Sequence, residues 1–415
     1  MSQRVLYVSS SVGLGHVSRD LAIAGALRDR LPDLEIVWLA GAPAADVLRD
    51  AGERVLPESR RWFGASAIAE KCLRNGQLNL VEYVYRSLPC WALNARLAKQ
   101  AIATNTIDAV VGDEAFEVSI PLIMRVLRLD VPFVMMFDFM GIDALSANLV
   151  ERLGAWVLNA LWALDGRAYD GEPHSAIFIG ESSDVADRPL GIGLPNGRRH
   201  VERHYDVVGH VVGFDPADFE DRAAWRLRLG YDDAPLVVCA VGGTSVGREL
   251  LELCAASFPA LSARLPGARM VLVCGPRVAP SSIVAPAGVT VLGHVPRLHE
   301  HFACSDVAVV QCGGTTTTEL AALRRPFLYA PINGHFEQEV IARRLARYGA
   351  GKRLSSSRLA PDTLAAAIAE EYAAMPAWTP MPLDGEARAA EHIVRILATR
   401  ASRPAGEPLA SAGTR

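Results

Sequence analysis

Short apolar runs alternate along this chain with longer stretches in which apolar positions recur at helical spacing. The runs RVLYVSSS (residues 4–11), EIVWLAG (35–41), DAVVGD (108–113), PFVMMFDF (132–139), SAIFIGE (175–181) and YDVVGHVVGF (205–214) predict strands, with helices over 17–30, 43–51 and 118–129. After the polar stretch 215–235 the scheme restarts with LVVCAVGG (236–243), MVLVCG (270–275), VTVLGH (289–294), VAVVQCGG (307–314) and PFLYAP (326–331). Helices are expected from about 247, from about 316 and over 386–400. Near-continuous apolar strands separated by helices mean parallel sheets covered on both faces. The chain therefore reads as α/β, with two Rossmann-like domains at 1–212 and 213–385, a terminal helix at 386–400 and a disordered tail at 401–415 (small, Pro-bearing and unpatterned). No repeat of solenoid length is present.

Composition narrows the function classes. The chain has 415 residues, half of them apolar, and a net charge of -4. That balance argues against a nucleic-acid partner, which would need a basic surplus. Lysine occurs only at Lys71, Lys99 and Lys352, so the basic charge is almost all arginine and no polybasic block exists. This Arg- and Ala-rich usage fits a GC-rich bacterial source. Cys72, Cys90, Cys239, Cys254, Cys274, Cys304 and Cys312 are scattered, odd in number and form no CxxC pair, which suits reduced thiols rather than a disulfide framework or zinc site. Without a signal-like start or a long apolar run, a cytoplasmic protein with no transmembrane segment is expected.

Three predicted strand ends are rich in glycine, where backbone can approach an anion closely and a following helix offers free N–H groups. The first is Val12-Gly13-Leu14-Gly15-His16. It is neither GxGxxG nor a Walker loop; it reads equally as a tight turn or as a site placing His16 as general base. The second, Gly242-Gly243-Thr244-Ser245-Val246-Gly247-Arg248, suits an anion or a plain structural turn. The third, Gln311-Cys312-Gly313-Gly314-Thr315-Thr316-Thr317-Thr318-Glu319, is the most informative. Threonine is a poor helix-interior choice. Capping would need one threonine, not four, with Glu319 closing a capping box; the alternative is that the hydroxyls face an anion and Glu319 accepts from sugar hydroxyls.

In this order and spacing, these segments resemble the GT-B glycosyltransferases. The likeness is to the group containing the lipid-II-forming N-acetylglucosaminyltransferase and the UDP-glucuronosyl and natural-product glycosyltransferases. It spans most of the chain: GxGH near the start, GG[ST]xG, a GHV step, GGxTxxE and a later acidic-Gln pair. The resemblance implies a cleft between an acceptor-binding N-terminal domain and a nucleotide-sugar-binding C-terminal domain, with the terminal helix crossing back. It implies that Thr244, Ser245, Gly313, Gly314, Thr315 and Thr316 cradle the donor diphosphate and Glu319 binds the ribose. His294 and Val295 would hold the base, and His335, Glu337 and Gln338 the donor sugar. His16, carried by the Gly13–Gly15 loop, would be the base, oriented by Asp113 with Glu114 as competitor. The implied reaction is inverting transfer from a UDP- or dTDP-sugar to a small-molecule or lipid-linked acceptor, with no cofactor and no metal, and with room for peripheral membrane contact. Three departures stand out. Gln311-Cys312 replaces the usual His or Ser-Arg, the plant-type Trp signature is absent, and the first loop is one glycine short of GGTGGH. Two rival readings remain open, a UDP-N-acetylglucosamine 2-epimerase-like enzyme and a non-catalytic nucleotide-sugar-binding partner.

Other segments are read as structural. His299-Glu300-His301 lacks HExxH spacing and is taken as a polar helix face; Trp156 to Leu164 is taken as a core helix. Residues 60–95, with Arg60, Arg61, Trp62, Phe63, Tyr83 and Tyr85, look irregular and either line an acceptor site or form a packed insertion.

Overall fold

The computed structural model describes residues 3–10, 14–64, 68, 71–74, 77–78, 80–144, 148–169, 174–242, 247–332, 335–355, 359–374 and 377–401. Gly13, Thr244 and Ser245 of the expected site, and 402–415 of the expected tail, lie outside the described residues. The chain forms two compact units, Met1–Gly213 together with Pro382–Arg415, and Phe214–Met381.

The first unit is built on seven parallel strands: β1 (Arg4–Val8), β2 (Glu35–Leu39), β3 (Arg54–Val55), β6 (Ala109–Asp113), β7 (Phe133–Phe137), β8 (Ser175–Ile179) and β9 (Asp206–Gly209). Their order is β3-β2-β1-β6-β7-β8-β9. A short antiparallel pair, β4 (Leu73–Arg74) and β5 (Gln77–Leu78), stands apart from it. Every residue of β6 and β7 is buried, as sheets covered on both faces require. The second unit has six parallel strands: β10 (Leu236–Ala240), β11 (Arg269–Val273), β12 (Val289–Leu292), β13 (Val307–Gln311), β14 (Phe327–Ala330) and β15 (Lys352–Arg353). They run β12-β11-β10-β13-β14-β15. Each sheet starts at its centre, grows outward to one side, then restarts on the other; the order reverses between β1 and β6 and between β10 and β13.

The helix Gly385–Ala401 belongs to the first unit. Ala389, Ala390, Ile393 and Leu397 are fully buried in the same core as Val5, Tyr7 and Trp38, and the helix packs on Gly15–Arg30. Burying each large aliphatic side chain stabilises by roughly 1.5–3 kcal/mol. Gly385 is required by close approach: a Cβ there would lie 2.6 Å from the His210 carbonyl oxygen.

Several extents differ from the sequence expectation. The strand expected over 205–214 ends at Gly209, whose φ of +90° turns the chain, and His210 N–H then donates to the Pro382 carbonyl. The helix expected over 118–129 spans Phe116–Ile123. The irregular reading of 60–95 is corrected by a helix at Leu80–Asn105 that contains Pro89, whose presence disguises the helical period. Edge strands β3 and β15 are two residues each and carry Arg54, Lys352 and Arg353, a charged composition that reads as loop but protects a sheet edge.

Two structural readings also change. Trp156 to Leu164 lies in the helix Leu149–Tyr169, where Asn159 and Trp162 are buried but Leu149 is 76% and Trp156 41% exposed, so only one face is core. His299-Glu300-His301 is not a solvated face. The His299 ring stacks 4.5 Å from Phe214, His301 Nδ1 pairs with the Tyr231 hydroxyl at 2.5 Å, and Glu300 is buried. Burial pushes His299 down to about 4, with Arg297 adding to the effect. Among the described residues, no helix is long and apolar enough to cross a membrane.

Candidate functional site

In open parallel sheets the crevice for a ligand opens at the carboxyl ends of the strands where the order reverses. In the first unit these are the ends of β1 and β6. The helix Gly15–Arg30 follows β1 and presents His16 in its first turn, while Asp113 is the last residue of β6. His16 Nδ1 lies 2.9 Å from Asp113 Oδ2, with the imidazole nine-tenths buried and the carboxylate fully so. Glu114 is on the other side of the ring, its Oε2 3.8 Å from His16 Nε2. Asp113, not Glu114, is therefore the Nδ1 partner. Glu114 adopts φ +46°, a conformation uncommon for a residue with a side chain, and its N–H donates to the Met136 carbonyl at 3.1 Å.

Arg19, one turn after His16, completes this cluster. Its Nε donates to Asp113 Oδ2 at 3.0 Å, its Nη2 pairs with Asp113 Oδ1 and lies 2.8 Å from His16 Nδ1, and its Nη1 donates to Asp138. Burial alone would raise the Asp113 carboxyl, but the Arg19 guanidinium and His16 outweigh it and hold the carboxyl well below its ordinary range. Behind the cluster Asp20 accepts from the Ser9 hydroxyl at 2.6 Å and the Tyr7 hydroxyl at 3.1 Å. Burial and the nearby Asp113 charge push Asp20 up. The sequence reading missed Arg19; its signal was the i+3 spacing from His16, which places both on one helix face.

In the second unit the reversal lies between β10 and β13. After β13 the chain turns at Gly313 into the helix Gly314–Ala322, with no side chain capping it. The Gly313 amide is taken, donating to the Gln311 carbonyl at 2.8 Å. The amides of Gly314, Thr315 and Thr316 have no partner among the described residues, and the first helical bond is Thr317 N–H to Gly313. The four threonines divide. Thr317 and Thr318 are buried and turn their hydroxyls back onto the Gly313 and Gly314 carbonyls, at 2.8 Å each. The hydroxyls of Thr315 and Thr316 make no hydrogen bond among the described residues and remain open at the helix start. The capping-box reading is excluded: neither a threonine nor Glu319 caps this helix. Glu319 makes no side-chain hydrogen bond among the described residues, and burial pushes it up to about 8.

Cys312 does not face the helix mouth. It is fully buried, its thiol donates to the Gln338 carbonyl at 3.4 Å, and burial pushes it up to about 12. A cation is supplied by another element: buried Arg344 of the helix Phe336–Tyr348 brings Nη2 to 3.6 Å from where a Gly314 Cβ would stand. No sequence motif marked it. At the neighbouring strand end, Gly247 is dictated by packing, since a Cβ there would lie 2.3 Å from Val241.

The remaining candidates are dispersed around this end of the sheet. His294 and Val295 follow β12; His294 is exposed, and the Val295 backbone groups make no hydrogen bond among the described residues. His335 starts the helix Phe336–Tyr348, and its Nδ1 is buried without a partner among the described residues. Gln338 Oε1 accepts from the Ile332 amide at 2.7 Å, which engages one lone pair of this oxygen, while the amide nitrogen makes no hydrogen bond among the described residues. The Glu337 side chain makes no hydrogen bond or ion pair among the described residues.

No known protein-family profile matches the chain. Among solved structures, the kitacinnamycin glycotransferase superposes with a TM-score of 0.60 at 15% identity, covering 96% of both chains. The glycosyltransferase SnogD from Streptomyces nogalater gives 0.56 at 17% identity, covering 96% of this chain and all (100%) of that one. The calicheamicin glycosyltransferase gives 0.54 at 17%, covering 96% and 95%.

The chain has the GT-B fold.

Curated relatives of this GT-B chain carry glycosyltransferase names. A UDP-N-acetylglucosamine-N-acetylmuramyl-(pentapeptide) pyrophosphoryl-undecaprenol N-acetylglucosamine transferase of Clavibacter sepedonicus is 25% identical over 410 residues, 94% of this chain and 96% of the relative. The protein of the same name from Nocardia farcinica is 30% identical over 239 residues, 53% of this chain and 61% of the relative. A glycosyltransferase of Methanopyrus kandleri, described as uncharacterized, is 29% identical over 192 residues, 46% and 53%. In these last two matches the chain spans little more than half the relative's length.

Proposed function

We propose that this GT-B chain is a glycosyltransferase moving a hexose or N-acetylhexosamine from a UDP- or dTDP-sugar to a hydroxyl of a small-molecule or lipid-linked acceptor, in the cytoplasm, with inversion and without a metal ion. The observation that carries the reading is the start of the helix Gly314–Ala322: three amides and two threonine hydroxyls without a partner among the described residues, one turn from the Glu319 carboxyl group, which likewise makes no side-chain hydrogen bond among them. Amides and the positive end of a helix suit a diphosphate, and the half-buried Glu319 carboxyl group suits paired ribose hydroxyls. Arg344 adds positive charge at the same turn. Charge on the leaving diphosphate would then be met by protein groups already in place rather than by a divalent cation.

In the first unit His16 is the proposed base. Its Nε2 takes the acceptor proton as the hydroxyl attacks the anomeric carbon, the bond to the diphosphate breaks, and Nδ1–H is held by Asp113, whose ionised carboxylate stabilises the imidazolium. Val295 would meet the nucleotide base, and His335, Glu337 and the Gln338 amide nitrogen the donor sugar.

The test is a thermal-shift screen over UDP, dTDP, GDP and ADP and their sugars, followed by an acceptor panel with the preferred donor. A UDP- or dTDP-sugar should raise the melting temperature by mass action, and an added hydroxyl acceptor should be glycosylated. Formation of an epimer from UDP-N-acetylglucosamine alone, or binding with no transfer, would overturn the reading.

A further inference from the structure

Resting on His16 as the base, a second question is which of its nitrogens carries the proton before reaction. Nδ1 has two neighbours with opposite demands: Asp113 Oδ2 at 2.9 Å can only accept, and Arg19 Nη2 at 2.8 Å can only donate. One ring nitrogen cannot satisfy both at once. Four of the five guanidinium hydrogens are placed by this geometry. Nε and Nη2 grip the two Asp113 oxygens, Nη1 holds Asp138, and the second Nη2 hydrogen remains for Nδ1. Asp113 already accepts two charge-assisted bonds from Arg19 without the imidazole. The opposite ring edge faces the Glu114 carboxyl group, with Oε2 3.8 Å from Nε2, beyond hydrogen-bond reach but near enough for its negative charge to favour a proton on Nε2. Behind the cluster Asp20 accepts from both the Tyr7 and the Ser9 hydroxyls.

We propose that Arg19 sets the tautomer of His16, donating to Nδ1 and leaving the proton on Nε2 until the acceptor arrives. In that form Nε2 has no lone pair to offer and the base is inactive. Release of Nδ1 by Nη2 lets a proton move to Nδ1, where Asp113 accepts it, and frees the Nε2 lone pair. No atom is gained or lost; one proton changes ring nitrogen. Arg19 is thus a positioning residue acting through His16.

The experiment is nitrogen-15 NMR of the histidine rings in the ligand-free full chain, wild type beside Arg19→Lys. Lysine keeps the positive charge beside Asp113 but has no planar fork reaching Nδ1. The His16→Gln variant assigns the signal. The wild type should show His16 protonated mainly at Nε2, and Arg19→Lys should shift the ratio toward Nδ1–H by roughly fivefold, the factor one ordinary hydrogen bond is worth. Circular dichroism and melting of Arg19→Lys confirm that it is folded; should it not fold, Asp113→Asn is read instead and should drive His16 further toward the Nε2–H form. A wild type already protonated at Nδ1, or a ratio unmoved by the substitution, overturns the proposal. Because no donor or acceptor is present, this result stands apart from success or failure of the transfer assay.

Discussion

His16 Nδ1 stands 2.9 Å from Asp113 Oδ2 although 97 residues separate them in the chain. The parallel pairing of β1 with β6 brings them together, because it places the helix after β1 and the last residue of β6 at the same end of the sheet. Replacing His16 by Ala should lower kcat for transfer by about 10²–10⁴-fold, and Asp113→Asn should follow it in direction. Calorimetric affinity for the donor nucleotide should be unchanged in both. Loss of donor affinity with kcat preserved would remove His16 from the role of base.

Glu319 gives a pH signature. Burial raises it to about 8, against about 4.3 for an ordinary glutamate. Between those values the folded chain holds a proton that the unfolded chain has released. Stability from this group is therefore full below about 4.3 and is lost as pH rises through the folded value. Subtracting the melting curve of Glu319→Gln from that of the wild type, over about pH 5 to 9, should leave a difference that falls with pH. Parallel curves would show that Glu319 is not held protonated.

The four threonines should separate by assay. Thr315→Val and Thr316→Val should weaken UDP binding several-fold while leaving the melting temperature nearly unchanged, since their hydroxyls bond nothing in the described structure. Thr317→Val and Thr318→Val remove hydroxyls that turn back onto the helix carbonyls, so their effect should appear in stability before affinity. Titration calorimetry beside thermal melting reads both, and equal losses of UDP affinity across all four would sink the partition.

Arg344→Gln should lower affinity for UDP about tenfold, the scale of one charge-assisted hydrogen bond, and leave uridine affinity unchanged. Equal loss for both ligands would mean that Arg344 supports the fold of the 311–319 turn rather than the phosphates.

The terminal helix should be indispensable to the first unit. Ile393 and Leu397 are fully buried against the core of the first sheet, and Ile393→Ala or Leu397→Ala should each cost about 2–5 kcal/mol in urea unfolding. A cost near zero would mean that the helix packs loosely.

Much of the architecture was legible because its signals are local. Buried parallel strands such as Val307–Gln311 and Phe133–Phe137 are near-continuous apolar runs, and Gly313 and Gly314 mark the end of the first. The helix Leu80–Asn105 was not legible, since Pro89 and an aromatic, polar sequence break the period that would reveal it. The two-residue strands β3 and β15 were hidden for another reason: their charged residues suit a sheet edge, and only pairing makes them strands.

The sequence by itself determined the α/β class, the alternation of elements and the contiguous 311–319 segment, because strand, turn and helix start are neighbours in the chain. The tertiary structure alone decided which of Asp113 and Glu114 meets His16 Nδ1, since adjacent residues leave a strand end in different directions. It alone brought Arg19 between His16, Asp113 and Asp138, and Arg344 beside Gly314. It also divided the threonines, because a helical hydroxyl either reaches back to its own carbonyl or stays open, and four identical letters cannot record which.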